Sequence, residues 1–171
     1  MHKTISAKTG GFTLLEMLVV VLIIGILTVI AVPQYELAVE KAAVGSILPI
    51  LKGIDSAQQV YFFTNGVYAM DFDALDLSMP AGGTLTTSGT TVYMRYPKYS
   101  CLLRYGTIDS KNSYSAYCYT KRGTAIEKYY SRTYFTCWAS KTDEKQQKIC
   151  QTVANKTAPD AENTNAYAYF F

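Results

Sequence analysis

Glu16 is the residue whose chemistry most needs an explanation. It is the only charge between Leu14 and Val32, a run of 19 residues that is otherwise almost wholly aliphatic. A lone carboxylate in hydrocarbon is expensive on insertion scales, and no Lys or Arg lies within the run to neutralise it. A partner appears if the chain is cut between Gly11 and Phe12. The new amino group on Phe12 is cationic and sits four residues before Glu16. In a bundle of such helices, Glu16 of one copy then neutralises Phe12 of its neighbour. That pairing sets the axial register and removes two buried charges together, the condition under which buried ions are tolerated.

Other reactive groups are sparse. His2, ahead of the Gly11–Phe12 junction, is the only histidine, so the rest of the chain lacks the commonest general base and metal ligand. No phosphate-binding glycine loop, G-x-S-x-G or H-E-x-x-H occurs. The acid pairs Asp71/Asp73 and Asp143/Glu144 read as solvated loop charges. Neither an enzyme, nor a metal site, nor a cofactor is expected.

The four cysteines allow three pairings. Their spacings, 16, 18 and 12 intervening residues, lack the close pairs of a zinc site. If the polar stretch Thr107–Asn112 is a hairpin loop, Cys101 and Cys118 face each other across neighbouring strands. Cys137 and Cys150 then close a loop in which Thr142–Ile149 can form a short helix, and each loop contributes about 3 kcal/mol in the chain-entropy model.

A basic stripe lies between Tyr93 and Phe135. Arg95, Lys98, Arg104, Lys111, Lys121, Arg122, Lys128 and Arg132 stand against only Asp109 and Glu127, with ten tyrosines interleaved. Cations neutralise phosphate and aromatic faces stack bases, which makes these residues candidate DNA contacts. The same residues also suit a soluble, tyrosine-rich sheet.

The elements that position these groups follow from patterning. The length, 171 residues, suits one ordinary domain. As a helix, Leu14–Val32 rises about 28 Å, close to a bilayer's hydrocarbon thickness. It is too long for the core of a secretory signal, and it ends at Pro33-Gln34-Tyr35 rather than at a small-residue cleavage site. Lys3 and Lys8 hold the N-terminal side in the cytoplasm, so everything after about Pro33 is exported. Export makes disulfides available.

The helix is expected from Phe12 to about Phe63, apolar all round at first. An amphipathic stripe follows at Ile47, Ile50, Leu51, Ile54, Ala57, Val60 and Tyr61. Pro49 predicts a kink near Ser46–Pro49, and Asn65-Gly66 a stop. Residues 67–90 read as a loop with a short turn near Phe72–Leu75. Runs at Thr91–Arg104, Ser113–Thr120 and Ala125–Phe135 predict an antiparallel meander of three or four strands laid on the helix.

Gly11-Phe12-Thr13-Leu14-Leu15-Glu16, with Met17 onward through Gly25 and Pro33-Gln34-Tyr35, resembles the N-terminal signature of type IV pilins and pseudopilins. A weaker likeness recurs around Ala57-Gln58, Tyr61-Phe62, Asn65-Gly66 and Phe72–Leu77. The resemblance implies an α+β fold in which a long N-terminal helix packs on a small antiparallel sheet. It also implies a disulfide-closed C-terminal loop, which Cys137–Cys150 resembles. By the same resemblance a prepilin peptidase removes residues 1–11 as a leader, cutting between Gly11 and Phe12, and methylates the Phe12 amine. Residues 12–34 become the transmembrane and filament-core segment, and 35–171 the exported head. Glu16 matches the acid at the fifth mature position, and Gly25 and Pro33 match places where the helix melts or bends.

The implied role is a structural subunit, a homo-oligomer in a helical filament serving adhesion, motility or DNA uptake. Its partners are the prepilin peptidase and the inner-membrane assembly machinery. Before assembly it is a single-pass inner-membrane protein with a cytoplasmic N-terminus; afterwards it is part of an extracellular pilus. The alternatives are a type II secretion pseudopilin, or a minor pilin whose basic head grips DNA or a surface. Major pseudopilins tend to bind calcium, and Asp71-x-Asp73-x-x-Asp76 lacks the glycine of an EF-hand loop.

Overall fold

The computed structural model describes residues 11–108 and 111–171, with side chains throughout except at 106–108, 111 and 112. The expected leader before Gly11 and the loop tip Asp109-Ser110 lie outside the described residues. The chain divides into two compact units, Met1–Glu36 and Leu37–Phe171, and helix α1 (Leu14–Asn65) passes from the first into the second.

In the first unit every described residue is exposed, including Leu15, Leu22, Leu27 and Val29. This part of α1 is long and apolar enough to cross a membrane.

In the second unit α1 carries a seam of buried residues at Glu40, Val44, Ile47, Leu51, Ile54 and Gln58, alternating four- and three-residue steps along one face. Of the expected stripe, Ile47, Leu51 and Ile54 lie in this seam. Ile50, Ala57 and Tyr61 are partly buried beside it, whereas Val60 faces outward at 65% exposure. The two polar seam residues are satisfied from the opposing layer. Glu40 accepts a short hydrogen bond from the Thr120 hydroxyl, and Gln58 binds the Ala69 backbone. Secondary structure continues unbroken through Gly45, Pro49 and Gly53, and the helix runs two residues beyond Phe63.

The sheet is larger than the three or four strands expected. Among the described residues, eight strands form one antiparallel sheet in the order β1-β2-β3-β4-β5-β6-β8-β7. They are β1 (Thr84–Ser88), β2 (Thr91–Arg95), β3 (Tyr99–Ile108), β4 (Lys111–Thr120), β5 (Ala125–Tyr129), β6 (Phe135–Ser140), β7 (Ala161–Glu162) and β8 (Ala166–Phe170). The run Thr91–Arg104 is two strands because the turn at Tyr96-Pro97-Lys98 breaks it. The Ser/Thr run before it is strand rather than loop. Its β-branched residues suit a strand, and Gly89 turns the β1–β2 connection at φ 58°. The β3–β4 ladder extends to Ile108↔Lys111, so the strands take up nearly all of the expected loop at Thr107–Asn112.

Alternation along the strands separates two faces. Cys101, Leu103, Ala116, Cys118, Ile126, Cys137, Ala139 and Tyr169 join Val44, Ile47, Leu51 and Ile54 in the core. Helix α2 (Glu144–Ala154) packs on this same side through Ile149, Cys150 and Ala154. Asp143 caps its start, and Asn155 ends it in the left-handed conformation that Asn tolerates. Between helix and sheet, Phe72 and Leu75 fill the core and Tyr68 stacks on both Phe62 and Tyr130, each at 4.5 Å.

Candidate functional sites

The start of α1 is a capping box. Thr13 precedes the first helical residue, and its backbone N–H and its hydroxyl both donate to Glu16 Oε2 at 2.8 Å. In return the Glu16 N–H donates to Thr13 Oγ1 at 3.2 Å. Reciprocal bonds of this kind satisfy orphan donors at a helix N-terminus. Thr13-Leu14-Leu15-Glu16 is the S/T-x-x-E signature of such a box, a local signal masked by the apolar run around it. The box supplies Glu16 with intrahelical partners but no countercharge, and among the described residues Oε1 accepts no hydrogen bond. Gly11 and Phe12 precede the helix, with Phe12 79% exposed.

A Cβ placed on Gly25 would meet nothing within 4 Å, so steric crowding is not what demands glycine there. The Thr28 hydroxyl donates back to the carbonyls of Ile24 and Gly25, both at 2.9 Å, an arrangement that tends to bend helices. Pro33 cannot donate to the carbonyl one turn earlier.

Both disulfides lie in the head. Cys101 bonds Cys118 directly across the β3–β4 ladder, and Cys137 of β6 bonds Cys150 of α2. All four are fully buried, so each bridge both closes a loop and packs the core. The second ties α2 to the sheet and closes the segment 137–150.

The seven cations expected to contact DNA, Lys111 aside, are dispersed. Arg95 and Arg104 lie on the sheet face turned away from the helices, where Arg95 sits over the Tyr93 ring at 4.7 Å. Lys98 and Lys121 flank a cleft beside α1 with Val39 and Ser46. Arg122 is paired with Asp143 at 3.2 Å. Lys128 is buried, donating to the Arg132 carbonyl at 2.6 Å. Arg132 lies over Tyr129 and Tyr134. Lys111 is described only as backbone.

Glu127 is the polar residue that sequence reasoning misses, and it is 1% exposed. Its Oε1 accepts from Arg104 Nη2 at 2.6 Å and its Oε2 from Trp138 Nε1 at 2.9 Å. Arg104 also donates to Ser115 Oγ and the Tyr129 hydroxyl. Burial first, and then the Glu127 carboxylate, push the Tyr117 phenol up to about 12 and hold Tyr129 above its ordinary value as well. Burial lowers Arg104, but Glu127 and Tyr129 outweigh it and hold the guanidinium above its ordinary value. The β4–β5 register places Glu127 beside Tyr117 of β4, a neighbour that no local pattern announces.

Comparison with known proteins bears on the N-terminus and, at lower identity, on most of the chain. Residues 6–32 match the prokaryotic N-terminal methylation motif. The type IV major pilin protein PilE of Neisseria gonorrhoeae is 24% identical over 150 residues, covering 88% of this chain and 78% of that protein. The fimbrial protein EcpC of Eikenella corrodens is 32% identical over 78 residues, 46% of this chain and 51% of its own. A second gonococcal pilin, PilE1, is 34% identical over 58 residues, covering 34% of this chain and 27% of that protein. No solved structure matches significantly. A methylation motif at the head of the long helix, an antiparallel sheet packed on that helix, and a likeness to major pilins that runs well past the motif are what this chain shares with type IV pilins.

Proposed function

We propose that the chain is a structural subunit of a type IV pilus. A prepilin peptidase removes residues 1–11 by cutting between Gly11 and Phe12, and the Phe12 amine is methylated. Residues 12–34 hold the subunit in the inner membrane with its N-terminus in the cytoplasm, and then form the filament core. Residues 35–171 are the exported head. The assembly machinery of the inner membrane moves the subunit from bilayer to filament.

The observation that carries this reading is the first part of α1. It is apolar, exposed on every side, and holds one carboxylate whose Oε1 accepts nothing among the described residues. Such a surface is stable only in lipid or against other helices of its kind. In the filament, Oε1 of Glu16 takes the Phe12 amine of a neighbour while Oε2 keeps the capping box. The matched relatives are named as major pilins and a fimbrial protein, which supports the pilus over a secretion pseudopilus.

Mass spectrometry of filaments sheared from cells tests the proposal. The subunit should be abundant there and begin at methylated Phe12. Filaments that lack it, or a chain that keeps residues 1–11, overturn the reading.

A further inference from the structure

The sheet face turned away from α1 holds a cleft that the subunit role leaves unused. Alternation places Leu102, Arg104, Tyr117, Glu127, Tyr129 and Trp138 there, opposite the core side of the same strands. These six line a cleft of about 370 Å³, with Asn163 and Ala166 completing it. That volume lies at the small end of the range for ligand sites and suits one or two sugar rings.

The polar groups of the cleft are held in place before any ligand arrives. Arg104 Nε is bonded to Ser115 and Nη2 to Glu127 and Tyr129. Among the described residues its Nη1 donates to nothing. Asn163 is fixed in the same way. Its Oδ1 accepts the backbone N–H groups of Asn165 at 2.9 Å and Ala166 at 2.7 Å. That leaves Nδ2 as the amide's open function. The cleft thus offers two oriented donors and three aromatic side chains, Trp138, Tyr117 and Tyr129, with Arg104 over the Tyr117 ring at 5.7 Å and Arg132 over the Tyr129 ring at 5.1 Å.

Glu127 is buried while the Arg104 side chain is 43% exposed. The buried carboxylate therefore anchors a guanidinium that reaches the cleft surface and holds Nη1 at a fixed angle there. Glu127 also cancels the charge of Arg104, so the cleft is locally neutral. A phosphate would meet the carboxylate together with the guanidinium. The chemistry fits a neutral ligand rich in acceptors with one apolar face.

We propose that this cleft is a carbohydrate-binding site, in which Trp138 and Tyr117 take the C–H face of a neutral pyranose while Arg104 Nη1 and Asn163 Nδ2 donate to its hydroxyl or N-acetyl oxygens. The site belongs to the head alone and does not depend on filament formation. A chain that fails to assemble still binds, and a chain that assembles need not.

Trp138 is the only tryptophan in the chain, so its fluorescence reports on the cleft directly. The full chain, solubilised in a detergent without a sugar headgroup, is titrated with glucose, galactose, mannose, N-acetylglucosamine and N-acetylgalactosamine, and separately with a thymidine oligonucleotide. At least one sugar should shift the emission saturably and without dependence on salt. Asn163→Asp keeps both turn bonds through a carboxylate oxygen, removes the donor and puts a negative charge against the ligand's acceptor oxygens. It should weaken that sugar at least tenfold with the circular dichroism unchanged, and Tyr117→Ala should weaken it similarly. No saturable change with any sugar overturns the proposal, as does a response that Asn163→Asp leaves intact. Saturation by the oligonucleotide alone, lost on adding salt, assigns the cleft to nucleic acid and overturns it too.

Discussion

Gln58 grips Ala69 with both ends of its amide. Nε2 donates to the Ala69 carbonyl at 2.8 Å and Oε1 accepts the Ala69 N–H at 2.9 Å, with Gln58 only 1% exposed. The two residues are eleven apart in sequence, so this contact fixes where the chain returns after the helix ends. Gln58→Ala strands a buried donor and a buried acceptor, each worth about 1–3 kcal/mol. The head should lose about 2–4 kcal/mol on that basis, read by chemical denaturation of the solubilised chain. A loss within error shows that the segment is held by Phe72 and Leu75 alone.

The disulfides should act independently. Each closes a loop of modest size, 17 and 13 residues in separation, for which chain entropy gives about 3 kcal/mol. Replacing Cys101 and Cys118 together by alanine should lower stability by about that amount. Replacing Cys137 and Cys150 should do the same and also loosen α2, seen as faster amide exchange in residues 144–154. Equal exchange in both variants contradicts the placement of the second bridge.

Acid should weaken the head through Asp143. Partial burial raises its pKa, but the N–H groups of Gln146 and Lys145 and the Arg122 pair outweigh it and hold the carboxyl below its usual value. A depressed folded value means the contribution is complete above the unfolded value near 4 and is lost as pH falls through the folded one. Asp143→Asn keeps a capping side chain without the titration. Between pH 7 and pH 3 the variant should lose less stability than the wild type, by roughly 0.5 kcal/mol once solvent screening of this partly exposed carboxyl is allowed for. Parallel losses point to Asp160 instead, whose bonds from Lys156 and the Phe170 N–H likewise lower it.

Thr13 should be needed for a firm helix start. Thr13→Ala removes the hydroxyl that gives and takes a bond with Glu16, a change worth about 1 kcal/mol at a helix cap. Amide exchange at Glu16 and Met17 in detergent should rise several-fold. Unchanged exchange places the cap's stabilisation elsewhere.

The long helix was legible because its two patterns are strong: an apolar run with one acid, then a spaced stripe. The seam itself was less so. Glu40 and Gln58 are polar, and only the opposing Thr120 and Ala69 make their burial tolerable. Those partners are set by tertiary packing, not by periodicity. Val60 fits the helical period yet faces out, since the sheet covers a narrower arc than the pattern allows. The strand count failed beyond β5 as well as at the edges: the expected run Ala125–Phe135 ends as a strand at Tyr129, and neither β6 (Phe135–Ser140) nor β8 (Ala166–Phe170) was expected. The Thr-rich β1 and the two-residue β7 are exposed edge strands and carry no hydrophobic alternation. The cleft around Glu127 is hidden for a related reason. Arg104 and Glu127 are 23 residues apart, and each taken singly looks like a solubilising surface charge.

In the proposed filament, Glu16 needs its charge for assembly, beyond its place in the capping box. Glu16→Gln separates the two, because glutamine also closes a capping box but cannot neutralise an amine. The measurement is the yield of sheared filaments from cells expressing this variant, with the subunit's N-terminus read alongside. A chain cut before Phe12 and filaments reduced at least tenfold are expected. Filaments at the wild-type level, built from the Glu16→Gln variant, contradict that need for charge.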